Sequence, residues 1–204
     1  MISFAALRAR RRAGDRGAVL IEAAIVMPVL LLVVFGILEY GLLFRTNLTI
    51  SDATRAGARV AVAQPRNPGY QDVAADTVSG SLSSAGIPDD QIDLLIVYEA
   101  DPTTGGLKGG GDSDAAIEAC TTNCWRFSWD PMSEDFVLDS GSPSWPATDQ
   151  EACGAEDSTD YLGVYVRARH VFITGFFQDE QQLSERTVMR LEPLPFTDEC
   201  KPIT

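Results

Sequence analysis

The residues with the most chemical potential in this chain are one histidine, four cysteines, a run of glycines beside several acids, and a glutamate set in hydrocarbon. His170 stands in Arg167-Ala168-Arg169-His170-Val171, an alternating strand pattern. A hydrolytic triad needs a positioned base and an acid to orient it, and no Gly-x-Ser-x-Gly element occurs, so His170 is read as structural. The stretch Gly105-Gly106-Leu107-Lys108-Gly109-Gly110-Gly111 invites a phosphate-loop reading. It lacks Gly-x4-Gly-Lys-Ser/Thr and no convincing helix N-terminus follows, so it is read as a flexible surface loop. Asp112, Ser113 and Asp114, with Glu118 nearby, offer oxygen ligands of the kind calcium takes. The glycine and closing glutamate of an EF-hand loop are absent from their places, and these acids are read as solvated. Trp125, Phe127 and Trp129 alternate along a strand, which favours a core-facing row over a sugar-binding platform.

Cys120, Cys124, Cys153 and Cys200 are even in number, as a disulfide framework requires, and four cysteines permit three pairings. Zinc is the rival reading. Cys120-x3-Cys124 has no second close Cys/His pair, so no metal is expected. Disulfides persist in oxidising compartments, which places the cysteine-bearing part outside the cytoplasm.

Charge sorts the chain in the same sense. Arg8, Arg10, Arg11, Arg12 and Arg16 precede Gly17 with only Asp15 opposing them, so the first 17 residues carry +4 and the rest −17 of the formal −13. A basic tip before an apolar run keeps to the cytoplasm under the positive-inside rule, and the acidic remainder crosses. Such an acidic domain is a poor partner for nucleic acid, whose binding relies on neutralising phosphates with Lys and Arg.

The elements that must position these groups begin with Ala18 to Phe44, where only Glu22 and Glu39 are charged. As a helix this run spans about 40 Å against about 30 Å of hydrocarbon, enough for one tilted crossing. No small-x-small cleavage site follows it, so it reads as an anchor that stays. Glu39, beside Tyr40, is expected to reach toward headgroups. Glu22 invites a sharper reading. If a peptidase cuts after Gly17, Ala18 acquires a free ammonium and Glu22 becomes the fifth residue of the new chain. Among helices packed away from water, that carboxylate can pair with a neighbour's terminal amine and fix axial register.

The element Gly17-Ala18-Val19-Leu20-Ile21-Glu22 resembles the prepilin processing motif of type IV filament subunits. The likeness extends through the apolar run with Pro28, the Gly-x-x-Glu-aromatic-Gly element from Gly36 to Gly41, and Ala-x-Arg-x-Gly-Ala-Arg from Ala53 to Arg59. Together these residues resemble the N-terminal region of TadE-like proteins, pilin-like components of the tight adherence (Flp/Tad) pilus system. The ending Val188-Met189-Arg190-Leu191-Glu192-Pro193 is similar to that family's usual one. Ala23 follows Glu22 where the small major Flp pilins usually carry Tyr, and the exported part is far larger than theirs. The resemblance therefore implies a minor or accessory pseudopilin. Its implied partners are a prepilin peptidase, other pilin-like subunits with the assembly machinery, and the membrane; no cofactor and no catalysis are implied.

Three segments are expected: a basic leader over 1–17, a transmembrane and spine helix over 18–64, and an exported disulfide-bonded α+β domain over 65–204. Helical character continues to Ala63, and Gln64-Pro65-Arg66-Asn67-Pro68-Gly69 is a dense stop signal. Arg55 and Arg59 share one helix face, Arg55 beside Asp52, either as a solvated edge or as a contact for an acidic partner. A second helix is expected over Tyr70 to Ser84, with Val73, Ala74, Val78 and Leu82 inward. Strands are expected over Ile92 to Tyr98, Trp125 to Trp129, Tyr161 to Phe176 and Leu183 to Leu191, with Ser133 to Ser158 mostly loop. Such elements make a small antiparallel sheet packed on the spine. Two other functions fit the same pattern: a single-pass anchored binding protein or adhesin, and an anchored envelope hydrolase.

Overall fold

The computed structural model describes residues 5–153, 159–175 and 178–194. Helix α1 spans Ala5–Val62 and begins well before the expected start at Ala18. The difference has a simple origin: Ala and Arg are strong helix formers, and nothing in the arginine-rich stretch stops a helix. The helix also continues through Pro28.

The chain divides into two compact units, one up to Leu42 and one from Leu43 onward. In the first, none of the most apolar 18-residue window is buried, and α1 is long and apolar enough to cross a membrane. Leu20 is 71 % exposed and Ile37 69 %, values a soluble core helix does not show. Glu39 corrects an expectation. It is only 2 % exposed and has a partner within the protein.

The second unit is α+β. Helix α2 spans Tyr70–Ser84, as expected, and is entered through Gly69, whose φ of 91° suits glycine. It buries Ala74, Ala75, Val78 and Leu82, with Val73 half-buried. Gly57 of α1 lets the two helices close up, because a Cβ there would lie 2.6 Å from Val78 Cγ2.

Strands β1 (Ile92–Ala100), β2 (Cys124–Asp130), β3 (Asp135–Leu138), β4 (Tyr161–Val171) and β5 (Glu180–Arg190) form one antiparallel sheet in the order β3-β2-β1-β4-β5. β1 is covered on both faces, which is why Leu94-Leu95-Ile96-Val97 is a continuous apolar run rather than an alternating one. Leu95, Val97, Leu162, Val164 and Val166 face a core shared with Ile50, Ala53, Ala58 and Ala61 of α1 and with α2. Leu94, Ile96, Tyr98 and Tyr165 face a second core with Leu107, Ile117, Cys120 and Cys124.

That second core corrects the reading of Gly105 to Gly111 as a flexible surface loop. Leu107 is buried, its amide donates to Gly111 O, and Lys108 N donates to Glu99 O at 2.9 Å. Helix α3 (Asp114–Glu118) follows, capped by Ser113, whose side chain accepts from Ala116 N at 3.2 Å. A helix start was not expected there. β3 likewise falls inside the stretch expected to be loop, and β4 ends at Val171, short of Phe176, which lies outside the described residues.

Candidate functional site

The site with the clearest chemical logic is the start of the apolar helix. Gly17, Ala18 and Glu22 lie on uninterrupted α-helix. Ala18 and Glu22 are four residues apart, on one face and about 6 Å apart along the axis. Glu22 is exposed. Gly17 has nothing within 4 Å of where a Cβ would stand, and its φ is not positive, so among the described residues neither packing nor backbone geometry calls for glycine. A helix-interior glycine costs about 1 kcal/mol relative to alanine. The glycine is therefore a local weak point of the helix with no return inside the monomer.

Arg55 and Arg59 lie on the exposed face of α1, opposite the buried Ala53 and Ala58. Arg55 reaches Asp52 at 3.8 Å, both side chains more than half exposed, a geometry worth little in water. Arg59 makes no ion pair among the described residues. The small residues of this motif thus serve packing, and its arginines face outward.

The remaining candidates resolve into structure. His170 is 6 % exposed; its Nδ1 lies 3.2 Å from Thr46 Oγ1, and its ring meets Phe172 edge to face. Glu118 accepts Tyr165 Oη and Arg167 Nη1, each at 2.6 Å, so it is not a solvated acid. Burial, first, and Glu118 together push the Tyr165 hydroxyl pKa above its usual value. Among the described residues no three metal-ligating side chains gather. Phe127 is fully buried, while Trp125 and Trp129 pack against the same core. Trp125 Nε1 donates to Trp145 O at 3.0 Å, and Tyr70 Oη to the same carbonyl at 2.7 Å. Cys120 and Cys124 are joined by a disulfide, Cys153 is also disulfide-bonded, and Cys200 lies outside the described residues.

One cluster was missed from the sequence. Glu99, 5 % exposed in β1, accepts from Lys108 Nζ and Asn123 Nδ2, and Lys108 also reaches Asp160 at 2.9 Å. Burial lowers the Lys108 pKa, but its bonds to Glu99 and Asp160 outweigh that and hold it above the ordinary value. The signal was Glu99, an acid directly after the apolar run from Leu94 to Tyr98.

Residues 17–59 match the family model described as TadE-like protein. The N-terminal helix is TadE-like. The match opens on Gly17 and closes on Arg59, and so takes in Glu22 and the small-residue seam against α2. A TadE-like segment marks the chain as associated, in general terms, with the Tad pilus. No curated protein and no solved structure matches the chain.

Proposed function

We propose that this TadE-like chain is a minor or accessory pilin-like subunit of a Flp/Tad pilus, trimmed after Gly17 by a prepilin peptidase. Its arginine leader lies in the cytoplasm, its apolar helix crosses the inner membrane, and its disulfide-bonded unit works outside by protein–protein contact in pilus assembly and adhesion. It acts without catalysis. The observation that carries this reading is Gly17: a glycine in mid-helix, unexplained by packing or φ, at the boundary between arginines and hydrocarbon. A peptidase must draw backbone out of the helix to cut it, and glycine lowers that cost. Trimming frees the Ala18 ammonium beside an exposed Glu22, and the two charges then neutralise each other between neighbouring helices. Arg55 and Arg59 are available on the outer face for an acidic neighbour.

The test is the intact mass of the protein purified from its own cells, wild type against Gly17→Leu. Loss of residues 1–17 in the wild type and their retention in the variant is the expected result. A wild-type chain that keeps its leader in cells with active prepilin peptidase overturns the reading. Glu22→Ala is expected to be trimmed and inserted but to fail in assembly with other pilins.

A further inference from the structure

Within the unit that begins at Leu43, α1 and α2 lie side by side and antiparallel. A Cβ on Gly57 of α1 would stand 2.6 Å from Val78 Cγ2 and 3.0 Å from Ala74 O, and Arg45 Nη2 donates to Ala85 O at 3.4 Å. Going back along α1 from Gly57 to Arg45 therefore goes forward along α2 from Ala74 to Ala85. α1 bonds to β5 through Thr54 and Asn47, whereas α2 packs on β3. Because β3 and β5 are the two edges of the sheet, the outer sides of the two helices face opposite ways.

At about 100° per residue, the positions two before and two after a contact residue fall about 160° from it, on the far side of the helix. Around Gly57 those positions are Arg55 and Arg59; around Ala74 they are Asp72 and Asp76. All four are exposed. Each pair spans about 6 Å along its axis, and both are centred on the same level of the seam. The antiparallel order sets Arg59 level with Asp72 and Arg55 level with Asp76. One flank of the unit thus carries an arginine pair and the opposite flank an aspartate pair, and within a single chain they do not meet. Among the described residues Asp72 and Asp76 have no ion-pair partner. Partial burial, then Asp135 of β3 and Asp72, hold the Asp76 carboxyl above its ordinary value, the mark of a flank crowded with like charge. The rest of the two stripes is compatible. Asp52, the one acid beside the arginines, falls level with Ser79 and Gly80 rather than with a carboxylate. Leu48, 64 % exposed, falls level with the exposed Ser83.

We propose that these flanks are the two halves of one contact between copies of this chain, Arg59 and Arg55 of one copy seated on Asp72 and Asp76 of the next. The occupant is a second copy because one chain carries both halves, equal in spacing, matched in level and opposite in sign. A sideways shift across the helix pair brings them together without turning either chain over, so two copies anchored in one membrane meet in a common orientation. The contact is heterologous: each copy keeps one flank open, and repetition gives a row or a ring. Two exposed ion pairs hold weakly by themselves, and a shared bilayer raises the effective concentration of one copy near another. The inference rests on the reading of the chain as a membrane-anchored subunit that works by protein–protein contact.

The experiment follows self-association of the full chain in detergent micelles at low salt by sedimentation equilibrium. Wild type is compared with Arg55→Glu plus Arg59→Glu, with Asp72→Arg plus Asp76→Arg, and with all four substitutions in one chain. Wild type is expected to associate, and each double variant to associate at least about ten-fold more weakly, because attraction becomes repulsion. The fourfold variant, and an equimolar mixture of the two double variants, should regain association; that recovery also shows the double variants to be folded. Equal association of every chain overturns the proposal, since contact through the apolar helix is common to all of them. Weakened double variants with no recovery in either the mixture or the fourfold chain overturn the pairing of these flanks. Should a double variant fail to fold, salt decides: wild-type association unchanged between low and high salt overturns the proposal. A monomeric wild type overturns it in favour of other subunits on each flank, and leaves the subunit reading intact, because leader removal tests that reading separately.

Discussion

Replacing Lys108 by Met tests whether the glycine-rich loop is a built cover for the sheet. In the native chain the Glu99 side chain is 6 % exposed and that of Lys108 50 %. Cutting one member from a fully buried pair costs about 3–5 kcal/mol, and a pair in open water contributes about 0.2–1 kcal/mol. Here the cation is half in water and the carboxylate is not. Glu99 keeps its bond from Asn123, and Asp160 keeps the Glu151 amide at 2.7 Å, so the residual cost is that of one under-satisfied buried carboxylate. About 2 kcal/mol of destabilisation is expected, between those limits. Glu99→Gln in the same chain removes the orphaned charge, so the double variant should recover at least half of the loss. Urea unfolding of the full chain in detergent micelles, followed by circular dichroism with disulfides intact, measures all four corners of this cycle. If Lys108→Met stays within about 0.5 kcal/mol of wild type and Glu99→Gln costs the same in both backgrounds, the pair does not couple and the loop is not held this way.

Other outcomes can be checked alongside. Burial pushes the Tyr98 hydroxyl up to about 12, and Lys108 is also held above its ordinary value. Both groups keep their protons longer in the fold than in the unfolded chain, so stability is full below about pH 10 and falls as pH rises toward about 12. Tyr98 contributes about 2–3 kcal/mol to that fall, and Tyr98→Phe should flatten the stability–pH curve measured by denaturation. Gly163→Ala places a Cβ 2.2 Å from Tyr98 Cζ, whose hydroxyl donates to Gly105 O at 2.8 Å. A loss of about 2–4 kcal/mol is expected from the displaced ring and its hydrogen bond. Gly80→Ala, with nothing within 4 Å in α2, should instead stabilise by about 1 kcal/mol.

Periodicity served the long elements well. The bounds of α2 could be read because Pro65, Pro68 and Gly69 punctuate its start and Ala74, Val78 and Leu82 repeat at helical spacing. β1, β2, β4 and β5 were visible as apolar or alternating runs. β3 was not, since in a four-residue edge strand only Phe136 is buried, and one residue shows no period. The helix after the glycines was overlooked although Ser113 stands at its N-cap, because five residues make too little pattern to outweigh the glycines. The second core was illegible for a different reason. It is assembled from Leu107, Ile117, Cys120 and Cys124, each isolated in sequence and joined only when the loop folds over Ile96 and Tyr98. At the N-terminus the types of Gly17 and Glu22 carried the chemistry, and the fold added that Gly17 has no task inside the chain.

The close fit of Gly57 against Val78 has a mechanical side. The end of α1 is tied to the segment just after β5 by Glu192 N donating to Val62 O at 3.1 Å, and further back to β5 itself by the Thr54–Thr187 and Asn47–Glu185 bonds. A pull directed along the helix loads these ties and the interlocked seam in shear, all at once, instead of peeling them one by one. Traction on the Leu43–Val62 part of α1 is thus shared among all of these ties.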